Sequence, residues 1–370
     1  MRIAVVGTRG IPDIQGGIET HCQELYPRLA AMGHEVTVYR RRAYTHGKQE
    51  SFRGVRLKDL PSPRIKSLEA ITHTLLAILA ARRDKAEIVH IHGIGPSLLA
   101  PLARIAGMKV VVTNHGADYK RKKWGAVAKA VLRAGESIGS KSANAIIAVS
   151  AEAGRQLAAK YRRTDVKVIF NGVVPPRRSE STAAIDTLGL TKEQYVVALG
   201  RFVVEKGFHE LIEAWSGISD KKGYRLVIAG DADHPDSYSR MLKTRAAEAG
   251  VILPGFIKGE KLNELMSHAR LFVMPSSHEG LPIALLEAMS YGLDVVASDI
   301  EACRLPQLTP GDHYPLGDIE ALRELLRTKL NQPRRQREYD LADYDWDRIA
   351  AETDRVYVAA MGHGDTRLGG

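Results

Sequence analysis

The sequence predicts two doubly wound α/β domains in tandem, on three observations. Short apolar runs rich in Val, Ile and Leu alternate with helix-length segments along the whole chain, the pattern of parallel strands joined by crossover helices. The alternation breaks at Pro175-Pro176-Arg177-Arg178-Ser179, which reads as a linker, and then restarts. Each half opens on a strand that runs into a glycine-bearing turn. The 370 residues suit roughly two or three ordinary domains, and 44% hydrophobic with 26% charged residues is a globular composition.

In the first half, strands are expected at 3–7, 35–39, 88–92, 110–114, 145–149 and 166–170, with helices between them, for example at 18–32 and 98–105. In the second half, strands are expected at 195–199, 225–229, 251–253, 271–274 and 294–298, with helices at 207–216, 239–249 and 282–291. The expected domains are 1–178, completed by a returning C-terminal helix at 345–362, and 185–344. The stretch 68–81 is apolar but broken by Glu69, Thr72, His73 and Thr74, too short and too polar to span a bilayer. The opening run from Met1 reads directly as a strand and leaves no room for a signal peptide. Two distant cysteines, Cys22 and Cys303, argue against a disulfide framework and fit a reducing cytoplasm.

Net charge is +10, unevenly placed. Residues 1–180 carry 31 Lys and Arg against 14 Asp and Glu, whereas the remainder carries 22 against 29. A basic first half attracts anionic partners: a phosphorylated substrate, an anionic membrane surface or nucleic acid. Nucleic acid is disfavoured, because the chain has no recognition-helix pattern, zinc-ligand spacing or aromatic RNA-binding signature. The clearest clusters are Arg40-Arg41-Arg42 and Lys120-Arg121-Lys122-Lys123-Trp124. The second leads into an amphipathic segment with Val127, Val131 and Leu132, which suits either a helix on a membrane interface or a solvated charged face.

The strongest chemical signal is the pair Glu279 and Glu287 around Gly280-Leu281-Pro282, just after the apolar strand 271–274. Gly280 allows a tight backbone and Pro282 suits a helix start, so Glu279 falls in the strand-to-helix loop and Glu287 in the first turns. Such loops bind ligands in open α/β sheets, and paired carboxylates suit a polyol; one acid alone could be helix-end electrostatics. Ahead of it, Gly200-Arg201 and Glu205-Lys206-Gly207 bring two cations to one loop before a helix, a clamp for a diphosphate or a surface ion pair. In the first half, Gly16-Gly17 opens a helix and allows close approach of an anion or a purely structural turn. The spacing is not that of a dinucleotide fingerprint, and the second strand ends in arginines where such enzymes place an acid. His115 follows strand 110–114, a position open to a structural or a functional role. Asp231-Ala232-Asp233 reads as a polar loop rather than a metal site.

These residues come in an ordered set: Gly16-Gly17 with Glu19, His115, Ser150, Asn171-Gly172-Val173, Gly200-Arg201 with Glu205-Lys206-Gly207, Pro275-Ser276, Glu279-Gly280-Leu281-Pro282 and Glu287-Ala288-Met289. Tyr314-Pro315 with Gly317-Asp318, and the closing helix after Trp346, complete it. In this set the chain resembles the retaining glycosyltransferases of glycosyltransferase family 4 over nearly its whole length. Gly7 to Pro12, Gly16 to Thr20 and Tyr119 to Trp124 are similar to a bacterial subgroup that includes polysaccharide rhamnosyltransferases. His115-Gly116 stands where that subgroup tends to show Asp-Gly.

The resemblance implies a GT-B fold: two Rossmann-like domains facing across a cleft, with the C-terminal helix returning to the first. It implies that Arg201 and Lys206 neutralise the departing diphosphate, that Glu287 holds the ribose and that Glu279, with Gly280 and Leu281 beside it, holds the donor sugar. His115 would lie near the reaction centre, and Gly16 and Gly17 would close over the phosphates. The expected activity is retaining hexosyl transfer from a UDP-, GDP- or dTDP-sugar to a bacterial polysaccharide or lipid-linked oligosaccharide, at the inner face of the plasma membrane. No metal or other cofactor is expected if the two cations do this work. A GT-B-fold epimerase or a non-catalytic nucleotide-sugar-binding protein are the alternative readings.

Overall fold

A computed structural model describes residues 1–45, 49–63, 69–117, 119, 125–232 and 235–362. The chain divides into two compact units: Met1–Gly172 together with the segment from Asp343 onward, and Val173–Ala342.

The first unit holds strands β1 (Arg2–Val6), β2 (Glu35–Arg41), β3 (Ser51–Phe52), β4 (Val55–Leu60), β5 (Ile88–His92), β6 (Lys109–Asn114), β7 (Ala145–Ala148) and β8 (Val166–Val168). Its helices are α1 (Gly17–Ala31), α2 (Glu69–Arg83), α3 (Ala100–Ile105), α4 (Ala126–Ser142) and α5 (Ala151–Tyr161). The sheet runs β3-β4-β2-β1-β5-β6-β7-β8, parallel except for the β3–β4 edge hairpin. The chain works outward on one side of β1 and then returns to continue on the other. The order therefore reverses between β1 and β5, where an open α/β sheet offers a crevice at the strands' carboxyl ends.

The second unit begins with α6 (Ala183–Thr187), then alternates β9 (Tyr195–Leu199), α7 (Phe208–Ser216), β10 (Arg225–Ala229), α8 (Ser237–Glu248), α9 (Gly259–Ser267), β11 (Leu271–Met274), α10 (Ile283–Ser290), β12 (Asp294–Ser298), β13 (His313–Tyr314) and α11 (Ile319–Asn331). Its sheet is wholly parallel in the order β10-β9-β11-β12-β13, so its reversal lies between β9 and β11. Strands β9, β11 and β12 are buried at every position, which explains the unbroken apolar runs of β9 and β11. The expected strand at 251–253 is instead an isolated bridge from Ile252 to Val227. Pro254 follows at once, and its missing N–H and its restriction of Leu253 stop the ladder there.

The final helix, α12 (Trp346–Gly362), buries Trp346, Ile349, Ala350, Thr353, Val356, Tyr357 and Ala360. Their spacing of three and four places them along one face. That stripe enters the first unit's core with Ile3, Val5, Cys22, Leu25, Tyr26 and Leu29.

One expectation for the basic first half needs correction. Arg40 and Arg41 are buried, because β2 runs two residues further than its apolar alternation suggests. Arg40 donates to Asp59 Oδ1 at 2.6 Å and to the carbonyls of Ile11 and Gln49, so it ties loops together rather than facing solvent. Only Arg42 of that trio is exposed. The Lys120–Trp124 cluster lies outside the described residues. In α4, which follows it, Val127 is 79% exposed and Val131 36%, while the buried face is Gly135, Glu136, Gly139 and Ser140. Among the described residues, no helix is long and apolar enough to cross a membrane.

Candidate active site

In the second unit, the loops leaving β9 and β11 meet at the sheet's reversal. After β9 the chain passes Gly200 and Arg201 and makes a single 3-10 turn, Val204–Lys206, before α7. Gly207 joins the two at φ +66°, and a Cβ there would fall 2.0 Å from the carbonyl oxygen of Pro275. Glycine is thus required both by the backbone conformation and by contact with the second loop. The Ser277 N–H donates to the Glu205 carbonyl at 2.8 Å, stitching the same two loops together.

That stitching presents the ends of the two loops to each other. Lys206 Nζ donates to Glu279 Oε1 at 2.6 Å, with both side chains mostly buried (19% and 14% exposed). Arg201 is half-buried at the start of the first loop, and Gly280 and the buried Leu281 follow Glu279 in the second. Pro282 is the N-cap residue of α10 and not its first helical position, so the helix begins at Ile283, one place after the expected start. Glu287, half-buried, projects from α10 further on. Its negative charge, added to burial as the main cause, pushes the Tyr291 phenol up to about 12. Burial first, and then the charge of Glu279, also raise the Cys303 thiol, which holds that cysteine as an inert, protonated neighbour. Asp231 pairs with Lys243 at 2.8 Å; Asp233 lies outside the described residues.

In the first unit, β1 leads into a loop that Gly16 ends at φ +148°, where a Cβ would meet Glu19 Oε2 at 2.1 Å. Glu19 reaches back from the first turn of α1 and accepts the Arg9 backbone N–H at 3.0 Å, closing the loop. Gly17 has open space at its Cβ position and is exposed. One turn into α1, His21 packs edge-on against His115, ring centres 5.0 Å apart. His115 Nε2 hydrogen-bonds His92 Nδ1 at 2.9 Å, and His92 in turn meets the Tyr26 hydroxyl. Behind them, His90 contacts the Tyr357 hydroxyl at 2.6 Å and Thr113 Oγ1 at 2.7 Å. Burial, reinforced by neighbouring imidazoles, holds His90 at about 3 and pushes His92 and His115 well below the ordinary histidine range.

The nine singled-out residues thus fall into two groups. Arg201, Lys206, Glu279, Gly280, Leu281 and Glu287 converge on the second reversal, and Gly16, Gly17 and His115 gather around the start of α1 in the first unit.

Residues 15–177 match the Glycosyltransferase Family 4 model and residues 182–342 the Glycosyl transferases group 1 model. Both halves are glycosyltransferase domains. The chain is 26% identical to an uncharacterized glycosyltransferase of Methanocaldococcus jannaschii, over 98% of this chain and 99% of that protein. Among solved structures it is similar to a sucrose-phosphate synthase from Thermosynechococcus elongatus, with TM-score 0.84, 21% identity, and coverage of 98% of this chain and 100% of that one. It is also similar to Anabaena HepE in complex with UDP-glucose, with TM-score 0.73, 18% identity, and 98% of each chain covered. The fold is GT-B, and this glycosyltransferase is of the GT-B type.

Sequence reasoning missed the company His115 keeps. His21 and His92 showed no local signal, being a helix residue and a strand residue far apart in the chain. The one available hint was the strand Ile88–His92, in which His90 and His92 interrupt an otherwise apolar run.

Proposed function

We propose that this glycosyltransferase moves a hexosyl group, with retention, from a nucleotide-sugar donor held by the second unit to a growing polysaccharide or lipid-linked oligosaccharide. The reading rests on one observation above all: Lys206 and Glu279 meet at 2.6 Å where the second sheet reverses. A carboxylate grips sugar hydroxyls, and an ammonium with three donors beside it grips the diphosphate to which that sugar is bonded. Breaking the anomeric C–O bond leaves positive charge on the sugar and negative charge on the diphosphate. Lys206 and Arg201, preorganised in one loop, stabilise the second of these, while Glu279 faces the first. Glu287 holds the ribose in this reading, as the resemblance implies. For retention, the acceptor hydroxyl attacks from the face the diphosphate leaves, and the diphosphate takes its proton.

The UDP-glucose complex of HepE supports a nucleotide-sugar donor here. The resemblance of Gly7 to Thr20 to polysaccharide rhamnosyltransferases makes rhamnose the first sugar to try. The basic first half and the exposed Val127 and Val131 support an anionic lipid surface or a lipid-diphosphate acceptor beside the first unit.

The deciding assay incubates the protein with UDP-, GDP- and dTDP-sugars, with and without bacterial lipid extract. Nucleotide released only when lipid is present supports transfer. Isomerised donor without any acceptor, or donor binding with no turnover under all conditions, overturns it.

A further inference from the structure

The first unit brings three imidazoles together from distant points in the chain: His21 in α1, His92 at the end of β5 and His115 just after β6. One ring nitrogen of each lies within 4.8 Å of the other two. The hydrogen bonds indicate which nitrogens are available to a ligand. His21 Nδ1–H donates to Asn171 Oδ1 at 3.0 Å, so Nε2 carries the lone pair. That buried Nε2 has no hydrogen-bond partner among the described residues. His92 uses Nε2 toward the Tyr26 hydroxyl and turns Nδ1 to His115 Nε2, 2.9 Å away; the proton shared by that pair moves to the other nitrogen of His115 when a metal ion takes its place.

We propose that His21 Nε2, His92 Nδ1 and His115 Nε2 form a binding site for a zinc-class divalent transition-metal ion. Three imidazoles with a fourth position left for water or a substrate oxygen is a known donor set for such ions. The surrounding hydrogen bonds suit it as well. A ligating histidine commonly donates its other N–H to a fixed acceptor, which sets tautomer and ring orientation. Asn171 does this for His21 and Tyr26 for His92. Burial also keeps the rings neutral, His21 at about 4, and neutral imidazole is the form that binds metal.

Metal–nitrogen bonds of ~2.0–2.1 Å at tetrahedral angles set nitrogens about 3.3 Å apart. The His92–His115 edge, at 2.9 Å, must open slightly and the wider edges must close. His115 is the one of the three that lies in a loop and is only half-buried, so the adjustment falls on it. The site is distinct from the diphosphate grip in the second unit and does not depend on the transfer reading. An occupying ion would take His115 Nε2 away from any sugar hydroxyl.

The experiment is a cobalt(II) titration of the chelator-stripped full chain, followed by visible absorption. The expected result is a tetrahedral d–d band that saturates at a single equivalent and is displaced by zinc. Asn171→Ala should weaken cobalt binding about 10–100-fold, as losing a ligand's hydrogen-bond partner does. His21→Ala should weaken it further still. His115→Gln, at a half-buried loop position, should do the same, and zinc should raise the melting temperature of the unaltered chain alone. No tetrahedral band, or equal cobalt binding by His21→Ala and His115→Gln, overturns the proposal.

Discussion

At the reversal of the first sheet the side chains are imidazoles and phenols, packed against one another and held neutral by burial. At the reversal of the second, a lysine and a carboxylate touch at 2.6 Å, with Arg201 earlier in the lysine's loop and Glu287 in the helix that follows the carboxylate. Both sheets are doubly wound and reverse beside their first strand, and they place different chemistry at that point. Fixed charge stabilises charge that develops during a reaction, whereas neutral rings offer hydrogen bonds and shape. On this reading the leaving diphosphate and the donor's own hydroxyls belong to the second unit, and the acceptor to the first.

The largest effect should fall on the first unit alone. Trp346→Ala removes a buried ring that packs edge-on against His21 at 5.5 Å. It should cost about 3–5 kcal/mol. Hydrogen exchange should accelerate in β1 and β5 and stay unchanged in β9 and β11; equal acceleration in both sheets would erase the separation of the units.

Next comes Lys206→Ala, expected to lower kcat by about 100–1,000-fold while exchange in both sheets stays normal. Near-normal turnover would remove the charged grip from the account.

Acid should then divide the units by pH. His21 and His90 have folded values of about 4 and 3 against an ordinary 6.5, so protons favour the unfolded first unit. Its stability is complete above pH 6.5 and falls as pH drops toward 4, on the order of 3 kcal/mol per such histidine. In the second unit, burial opposes ionisation of Asp312, but Arg337 and Lys329 outweigh it and hold the carboxyl at about 2. That contribution persists until pH falls below the ordinary 3.8. Exchange measured at pH 5 should therefore show the first unit loosened and the second intact. The reverse order would contradict the assignment of neutral histidines.

Smaller still, Gly207→Ala should destabilise the second unit by at least about 2 kcal/mol, from left-handed backbone strain and the Pro275 contact. An unchanged melting curve would mean the two loops are not stitched as described. Smallest, replacing Arg121, Lys122 and Lys123 with Gln should weaken binding to anionic liposomes by on the order of tenfold and leave donor binding intact. Equal liposome binding would end the membrane reading of that cluster.

What was legible in the sequence was whatever short-range pattern encodes. Buried parallel strands write themselves as runs such as Leu271-Phe272-Val273-Met274, and strand-loop-helix punctuation placed Lys206 and Glu279 each at the edge of its own loop. Their contact was not legible, because the β9 loop and the β11 loop are 73 residues apart and only the strand order joins them. Burial misled at Arg40 and Arg41, which look like a surface patch until Asp59 and Glu69 are brought up to them by β4 and α2. The imidazole cluster is the extreme case. It needs α1, β5, the loop after β6, and Asn171 to be in place at once, and no local period announces it.

The central claim is that the donor's diphosphate is held by Lys206 and Arg201. A crystal structure of the protein with UDP-glucose or dTDP-rhamnose tests it most directly. The account predicts diphosphate oxygens within hydrogen-bonding distance of Lys206 Nζ and the Arg201 guanidinium, with the sugar against Glu279. A diphosphate seated in the first unit, or in the second but away from Lys206, would contradict it.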